Sequence, residues 1–164
     1  MDANLAILAD SNIRQDDILR GALGKINDAY DICLIDNPPD INISVLNALT
    51  ASDEVIIVST PDAYSVQGIY EMANLIQNEV SRFNPQLAFS GILFNKYAKT
   101  QSSTAYIREI EQKYPVFPQK IRLTRDKTDE STRRRQSIYE LSPQCGFAID
   151  LGNFLEDYMG GQTK

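Results

Sequence analysis

The stretch Tyr30-Asp31-Ile32-Cys33-Leu34-Ile35-Asp36-Asn37-Pro38-Pro39 sets a carboxylate at the end of an apolar run and turns the chain behind it with two prolines. An aspartate delivered by a buried strand to the carboxyl edge of a sheet stands where open α/β sheets bind ligands. There it can hold a magnesium ion through water, and the ion neutralises phosphate charge. The second reading, that Asp36 caps a turn at a strand end, carries about equal weight on the residue alone. The other segment with chemistry is basic. From Lys120 to Arg135 seven lysines and arginines face three carboxylates, a local charge of +4 on a chain whose net charge is −6. Such a patch on an acidic body is either a solvated loop or a phosphate-binding surface. Three adjacent arginines, Arg133, Arg134 and Arg135, cannot all face one way on a helix, so at most two would touch phosphates together. No aromatic residues interleave with them, which argues against base stacking on single strands.

Composition removes other chemistries. There is no histidine, and the two cysteines, Cys33 and Cys145, are far apart and outside any ligand cluster. Zinc sites of the usual kind, serine–histidine triads and histidine acid–base catalysis are therefore excluded. Both thiols read as core residues in a reducing compartment. Hydrophobic residues make up 43% and charged residues 23% of 164 residues, enough for one globular core. No apolar run approaches the ~18 residues of a membrane helix, and the first residues do not read as a secretion signal.

The elements that would position these groups alternate in type. Strands are predicted at Asn4–Leu8, Asp31–Asp36, Glu54–Ser59 and Leu87–Phe94, the last interrupted by Gly91, with a short extended piece at Val116–Phe117. Glu54–Ser59 is β-branched and too continuous for a half-exposed strand. Helical spacing marks Ile13–Asn27, Ile43–Ala51, Ser65–Arg82, Ser102–Tyr114 with Ser102 or Ser103 as N-cap, and Gln144–Tyr158. The expected fold is α/β, a mostly parallel sheet with helices on both faces. Leu123–Ser137, polar and rich in both charges, reads as a mobile surface segment. One domain is expected over residues 1–159, with 160–164 a disordered tail after the Gly160-Gly161 stop.

The motifs in order resemble the ParA/Soj/MinD-like P-loop ATPases. The resemblance starts at the strand–Asp36–Pro38-Pro39 run and continues through Asn47-Ala48-Leu49 and Ser52-Asp53-Glu54-Val55-Ile56-Ile57-Val58. It then takes in Thr60-Pro61-Asp62-Ala63-Tyr64-Ser65-Val66-Gln67-Gly68, Leu93-Phe94-Asn95-Lys96, Pro118-Gln119-Lys120-Ile121-Arg122 and Ser137-Ile138-Tyr139-Glu140-Leu141-Ser142-Pro143. It covers about Asn4 to Met159. It implies the P-loop NTPase type of fold, ATP and magnesium as cofactors of the intact enzyme, and ATP-driven dimerisation. It also implies nonspecific DNA binding by the dimer and hydrolysis stimulated by a ParB-like partner. Asp36 would hold magnesium and act in catalysis, Asn95 and Pro118 would frame the adenine, and Arg122 with Arg133–Arg135 would meet DNA. Without the resemblance, Asn95 reads as a strand-end cap, Lys96 as a solvated neighbour and Pro118 as a turn residue. The implied location is the cytoplasm, on the nucleoid.

Two departures bear on activity. No G-x-x-x-x-G-K-[ST] occurs; the one Gly-Lys pair, Gly24-Lys25, precedes Ile26, and Leu19 stands where the first glycine belongs. The family's arginine after proline is Gln119 here, and Arg133-Arg134-Arg135-Gln136 replaces a glycine-containing stretch. The chain is therefore expected to be the C-terminal two-thirds of such an enzyme, unable to hydrolyse ATP alone and prone to self-associate as a dimer or larger. The alternatives are a non-catalytic interaction or regulatory module derived from the family, and a relative serving conjugation or cell-division placement. MinD-like relatives end in a basic amphipathic helix, whereas Asp150–Met159 here is acidic, which argues against a membrane partner.

Overall fold

The computed structural model describes residues 18–39 and 41–162. Its elements are α1 (Ile18–Leu23), α2 (Ile43–Ala51), β1 (Glu54–Ser59), α3 (Ala63–Asn74), β2 (Ala88–Phe94), α4 (Gln101–Glu111), α5 (Arg125–Arg134), α6 (Ile138–Leu141) and α7 (Gly146–Gln162). α3 continues as a π turn at Leu75–Glu79 and a 3-10 turn at Val80–Arg82. The chain forms two compact units, Met1–Val55 with Tyr70–Ser90, and Ile56–Ile69 with Gly91–Lys164.

In the first unit α2 is the buried element. Asn42 starts it, its Oδ1 accepting the Ser44 and Val45 N–H groups at 2.9 and 3.1 Å, so two of the orphan donors of a helix N-terminus are satisfied. Val45, Leu46, Ala48 and Leu49 are buried, as are Ala73, Leu75, Ile76 and Val80 from the segment beginning at Tyr70. The far end of α2 is also buried, so its carbonyls need partners. Ser52 Oγ donates to the Ala48 carbonyl at 2.7 Å, Arg20 donates to that of Thr50, and the buried Asn84 donates to those of Leu49 and Ser52.

The second unit is built on parallel strands. β1 and β2 are neighbours, and Asn95 N donates to the Ser59 carbonyl at 2.8 Å where both strands end. On the other side of β2 runs the extended segment 115–123, joined by parallel bridges Ile92–Val116 and Tyr97–Arg122. Bonds from Phe117 N to Ile92 O (3.0 Å), Ile121 N to Phe94 O (2.9 Å) and Leu123 N to Tyr97 O (3.0 Å) fix its register. β2 carries a bulge. Ala88 N and Asn95 N donate to Asp53 and Ser59, so β2 uses one residue more than β1 between the same two bonds. Gly91 sits in that interval at φ 141°, and a Cβ there would lie 3.2 Å from the Pro115 carbonyl oxygen. Both the left-handed backbone and the close approach require glycine. The core gathers Leu93, Ile121 and Phe154, with Ile56, Phe117, Phe147, Leu151 and Tyr158 packed around them. Phe117 stands edge-on to Phe154 with ring centroids 5.0 Å apart, and Tyr158 stacks on Phe154 at 5.7 Å.

Several predicted elements are found as read. Ile43–Ala51 and Glu54–Ser59 match to the residue, and the sheet is parallel. Six expectations are corrected. Asp31–Asp36 is in no strand among the described residues, where no neighbour pairs with it, and Ile32 and Leu34 are 58% and 92% exposed. An apolar run becomes a strand only when a second strand takes up its backbone groups. Nor is Cys33 a core residue; it is exposed in this stretch. β1 is not covered throughout, since Val58 is 59% exposed. Residues 125–134, read as a mobile segment, form helix α5. Its polar composition is held together by Glu130, which pairs with Lys127 at 3.3 Å and with Arg134 at 2.5 Å. Thr100, not Ser102 or Ser103, caps α4. α7 runs through Gly160 and Gly161 to Gln162. The predicted strand Asn4–Leu8 and the start of the predicted helix Ile13–Asn27 lie outside the described residues.

Candidate functional site

Three parallel segments of the second unit end together, and a cleft of about 710 Å³ opens where they do. Thr60, Pro61 and Asp62 follow β1, Asn95 and Lys96 follow β2, and Arg122, Leu123 and Thr124 come from the end of the segment 115–123; all of them line the cleft. The first turns of α5 add Arg125, Thr128 and Asp129, and Phe147 of α7 adds an aromatic ring. The carboxyl ends of parallel strands are where such sheets bind ligands, because the chain there splays into loops.

Each strand exit is locked locally. Asp62 caps α3: its Oδ1 accepts the Tyr64 and Ser65 N–H groups at 3.1 and 3.0 Å, and its Oδ2 accepts from the Thr60 hydroxyl and from Ser65 Oγ. The Thr60 hydroxyl first, then the Ser65 N–H, hold the Asp62 carboxyl below the usual carboxylate range, against a smaller opposing effect of burial. After β2 the chain turns sharply at Lys96, whose φ of 51° is left-handed, and Asn95 Oδ1 accepts the Lys96 N–H at 2.7 Å. That bond leaves the Asn95 amide group directed by its own loop, with its NH2 available to a ligand.

Arg122 is the most constrained side chain of the cleft. Asp150 of α7 accepts its backbone N–H at 2.9 Å, its Nε at 2.7 Å and its Nη2 at 2.6 Å. The Arg122 hydrogen bonds hold the Asp150 carboxyl below its usual range and the guanidinium above its own. The Arg122 side chain crosses Gly146, where a Cβ would come within 2.3 Å of Arg122 Cδ.

Of the residues singled out by sequence, Asn95 and Arg122 share this cleft. Pro118 is exposed and outside its lining; its carbonyl accepts from Lys120 Nζ at 3.2 Å. Asp36 is exposed, in a stretch of the first unit that pairs with no strand among the described residues. Arg133, Arg134 and Arg135 are exposed at the end of α5, Arg134 paired with Glu130 and Arg135 forming the left-handed C-cap, where positive charge meets the negative end of the helix dipole. Sequence reading passed over Thr60, Asp62, Thr124 and Phe147 as site residues; the usable signal for the first three was their position directly after an extended run.

The cleft offers an amide, hydroxyls, an aromatic ring and the charged side chains of Asp62, Lys96, Arg125 and Asp129, with the charge of Arg122 matched by Asp150. Among the described residues no three His, Cys, Asp or Glu side chains gather as a metal ion would need, and the sequence holds no lysine-bearing glycine loop for a triphosphate. No helix among the described residues is long and apolar enough to cross a membrane.

Comparison with known proteins places this geometry. Residues 2–89, just over half of the chain, match the AAA domain family. A virulence-plasmid ParA family protein of Chlamydia psittaci is 30% identical over 140 residues, covering 83% of this chain and 52% of its own. The sporulation initiation inhibitor protein Soj of Bacillus subtilis is 29% identical over 113 residues, covering 65% and 45%. The crystal structure of cobyrinic acid a,c-diamide synthase from Mycobacterium smegmatis with a bound ATP analog and magnesium superposes with a TM-score of 0.61 at 27% identity, over 79% of this chain and 54% of that one. The chain spans about half, or less, of the length of the curated relatives it matches. With its parallel sheet and a cleft at the strand ends, the chain belongs to the AAA-domain family of ParA/MinD-like P-loop ATPases.

Proposed function

We infer that this chain is the C-terminal part of a ParA/Soj-like partition ATPase and supplies the base-side half of its nucleotide site. The observation that carries the reading is the cleft at the carboxyl ends of β1, β2 and the segment 115–123, with Asn95 on its wall. In the intact enzyme Asn95 contacts the adenine, Pro118 borders it, and Asp36 holds the magnesium that neutralises phosphate charge during hydrolysis. ATP drives dimerisation, the dimer binds DNA without sequence preference, and a ParB-like partner stimulates turnover, in the cytoplasm on the nucleoid. For DNA contact Arg133 and Arg135 are the freer cations, since Arg134 shares Glu130 and Arg122 is held by Asp150.

The test is calorimetric titration of this chain with ATP plus magnesium and, separately, with adenosine. Both are expected to bind weakly and alike, and Asn95→Leu to weaken both. Tight ATP binding that requires magnesium would overturn the reading. A second reading is a non-catalytic interaction module of the same family. A reading frame upstream of Met1 that encodes a Gly-Lys-Thr loop decides for the enzyme; a stop codon there decides for the module.

A further inference from the structure

We propose that Arg122, held in place by Asp150 across Gly146, is the planar wall on which a ring ligand stacks in the cleft of the second unit, and that Asp150 is its positioning residue. The inference rests on the base-side reading of that cleft and adds to it the group that grips the ring.

Three observations converge on Arg122. The anchor is more covered than the group it presents: the Asp150 side chain is 11% exposed, that of Arg122 57%. A carboxylate that takes the Nε and Nη2 edge of a guanidinium in a fork fixes the plane of the group as well as its position. That edge is then consumed, and the rest of the side chain, 57% exposed, lies in the lining of the cleft. The third bond, from the Arg122 backbone N–H to the same carboxylate oxygen, ties the plane to the end of the segment 115–123. Gly146 completes the arrangement, because any side chain there would occupy the space of Arg122 Cγ, Cδ and Nε. Phe147, the next residue, lines the same cleft.

A guanidinium whose charge is matched by a forked carboxylate is a poor phosphate ligand, since a second anion meets Asp150 as well. It remains a good surface for an aromatic ring, through stacking and cation–π attraction. The class of ligand is therefore a planar heterocycle such as a nucleobase. Selectivity at this wall is for the ring and not for charge.

The experiment uses the full chain, with adenosine and ribose 5-phosphate as probes, followed by backbone and arginine Nε–H NMR. Adenosine is expected to shift the Arg122 Nε–H and the Asn95 amide signals, and ribose 5-phosphate to shift neither. Arg122→Lys keeps the charge and loses the plane, and should weaken adenosine by about fivefold or more. Asp150→Asn should weaken adenosine and let the Nε–H signal broaden, whereas Asp150→Glu, which can still accept the fork, should recover part of the affinity. Arg122→Gln, with far-ultraviolet circular dichroism as the check of folding, covers the case of an unstable Asp150 variant; it too should lose affinity. Adenosine binding that shifts Asn95 and is unchanged in Arg122→Lys and Arg122→Gln would overturn this proposal and leave the base-side reading standing. Absence of any adenosine shift at Asn95 in the wild-type chain would overturn both.

Discussion

The side chain of Asn84 donates to two backbone carbonyls of another segment, that of Leu49 at 3.0 Å and that of Ser52 at 2.7 Å. These are end groups of α2, the Leu49 acceptor buried and the Ser52 acceptor partly buried. Asn84→Ala is therefore expected to lower stability by ~1–3 kcal/mol, the cost of leaving buried acceptors unpaired. Urea denaturation of wild type and variant measures it. A change within a few tenths of a kcal/mol would show that the carbonyls find another donor.

Gly91 meets two constraints, a φ of 141° and the Pro115 carbonyl oxygen 3.2 Å from the place of a Cβ. Gly91→Ala should cost ~1–3 kcal/mol from backbone strain alone. Gly68, around which a Cβ meets nothing within 4 Å, is the control. Gly68→Ala should be neutral or stabilising, because it improves helix propensity by up to ~1 kcal/mol. Thermal unfolding of both variants reads the contrast.

The cap of α3 gives a pH dependence. The folded Asp62 carboxyl lies below its ordinary value, chiefly because of the Thr60 hydroxyl and the Ser65 N–H. A depressed folded value means that the carboxylate stabilises the fold fully above the unfolded value, about pH 4, and loses this contribution as pH falls through the folded one. Asp62→Ala should cost ~1 kcal/mol at neutral pH. The gap between wild type and variant should narrow below about pH 4. Urea denaturation across that range checks the sign; a gap that widens on acidification would refute it.

The arginines at the end of α5 have a salt signature. If Arg133 and Arg135 neutralise one phosphate each, the double change to alanine should reduce the slope of log affinity against log salt by about 2. Arg122→Ala should leave the slope unchanged, because Asp150 already neutralises that charge. DNA retention at several salt concentrations separates the two.

Ile32 and Leu34 project apolar surface from a backbone that nothing pairs among the described residues. Exposed, extended, apolar chain is a template for association. Light scattering after size-exclusion chromatography should find a dimer or larger species at micromolar concentration. Replacing both residues by serine should shift it toward monomer. A monomeric wild-type chain would remove the idea.

How much was legible in the sequence follows from the range of the interaction responsible. Ile43–Ala51 and Glu54–Ser59 were readable because periodicity and β-branching act within each segment. The strand exits Thr60 and Asn95 were readable as ends of apolar runs. Asp31–Asp36 has the same local character as β1; that no strand pairs with it among the described residues depends on a neighbour, which the segment itself cannot encode. α5 was missed because its apolar periodicity is nil and its support is the Lys127–Glu130–Arg134 ion-pair set. The fork between Arg122 and Asp150 joins residues 28 positions apart, and nothing in either segment announces the other. Arg122 therefore read as a free cation, whereas in the fold its charge is spent internally.

The extra residue in β2 also limits what kinds of change the strand can absorb. Side chains alternate between faces along a strand, and Ile92, Leu93 and Phe94, just past Gly91, are all buried. Loss of a single codon at position 91 would exchange the chambers of the side chains that follow, sending Leu93 toward the space shaped for Ile92 and Phe94 toward that of Leu93. Variation by length should therefore be tolerated less at this point than variation by residue type, and homologous chains should keep their spacing here even where the letters differ.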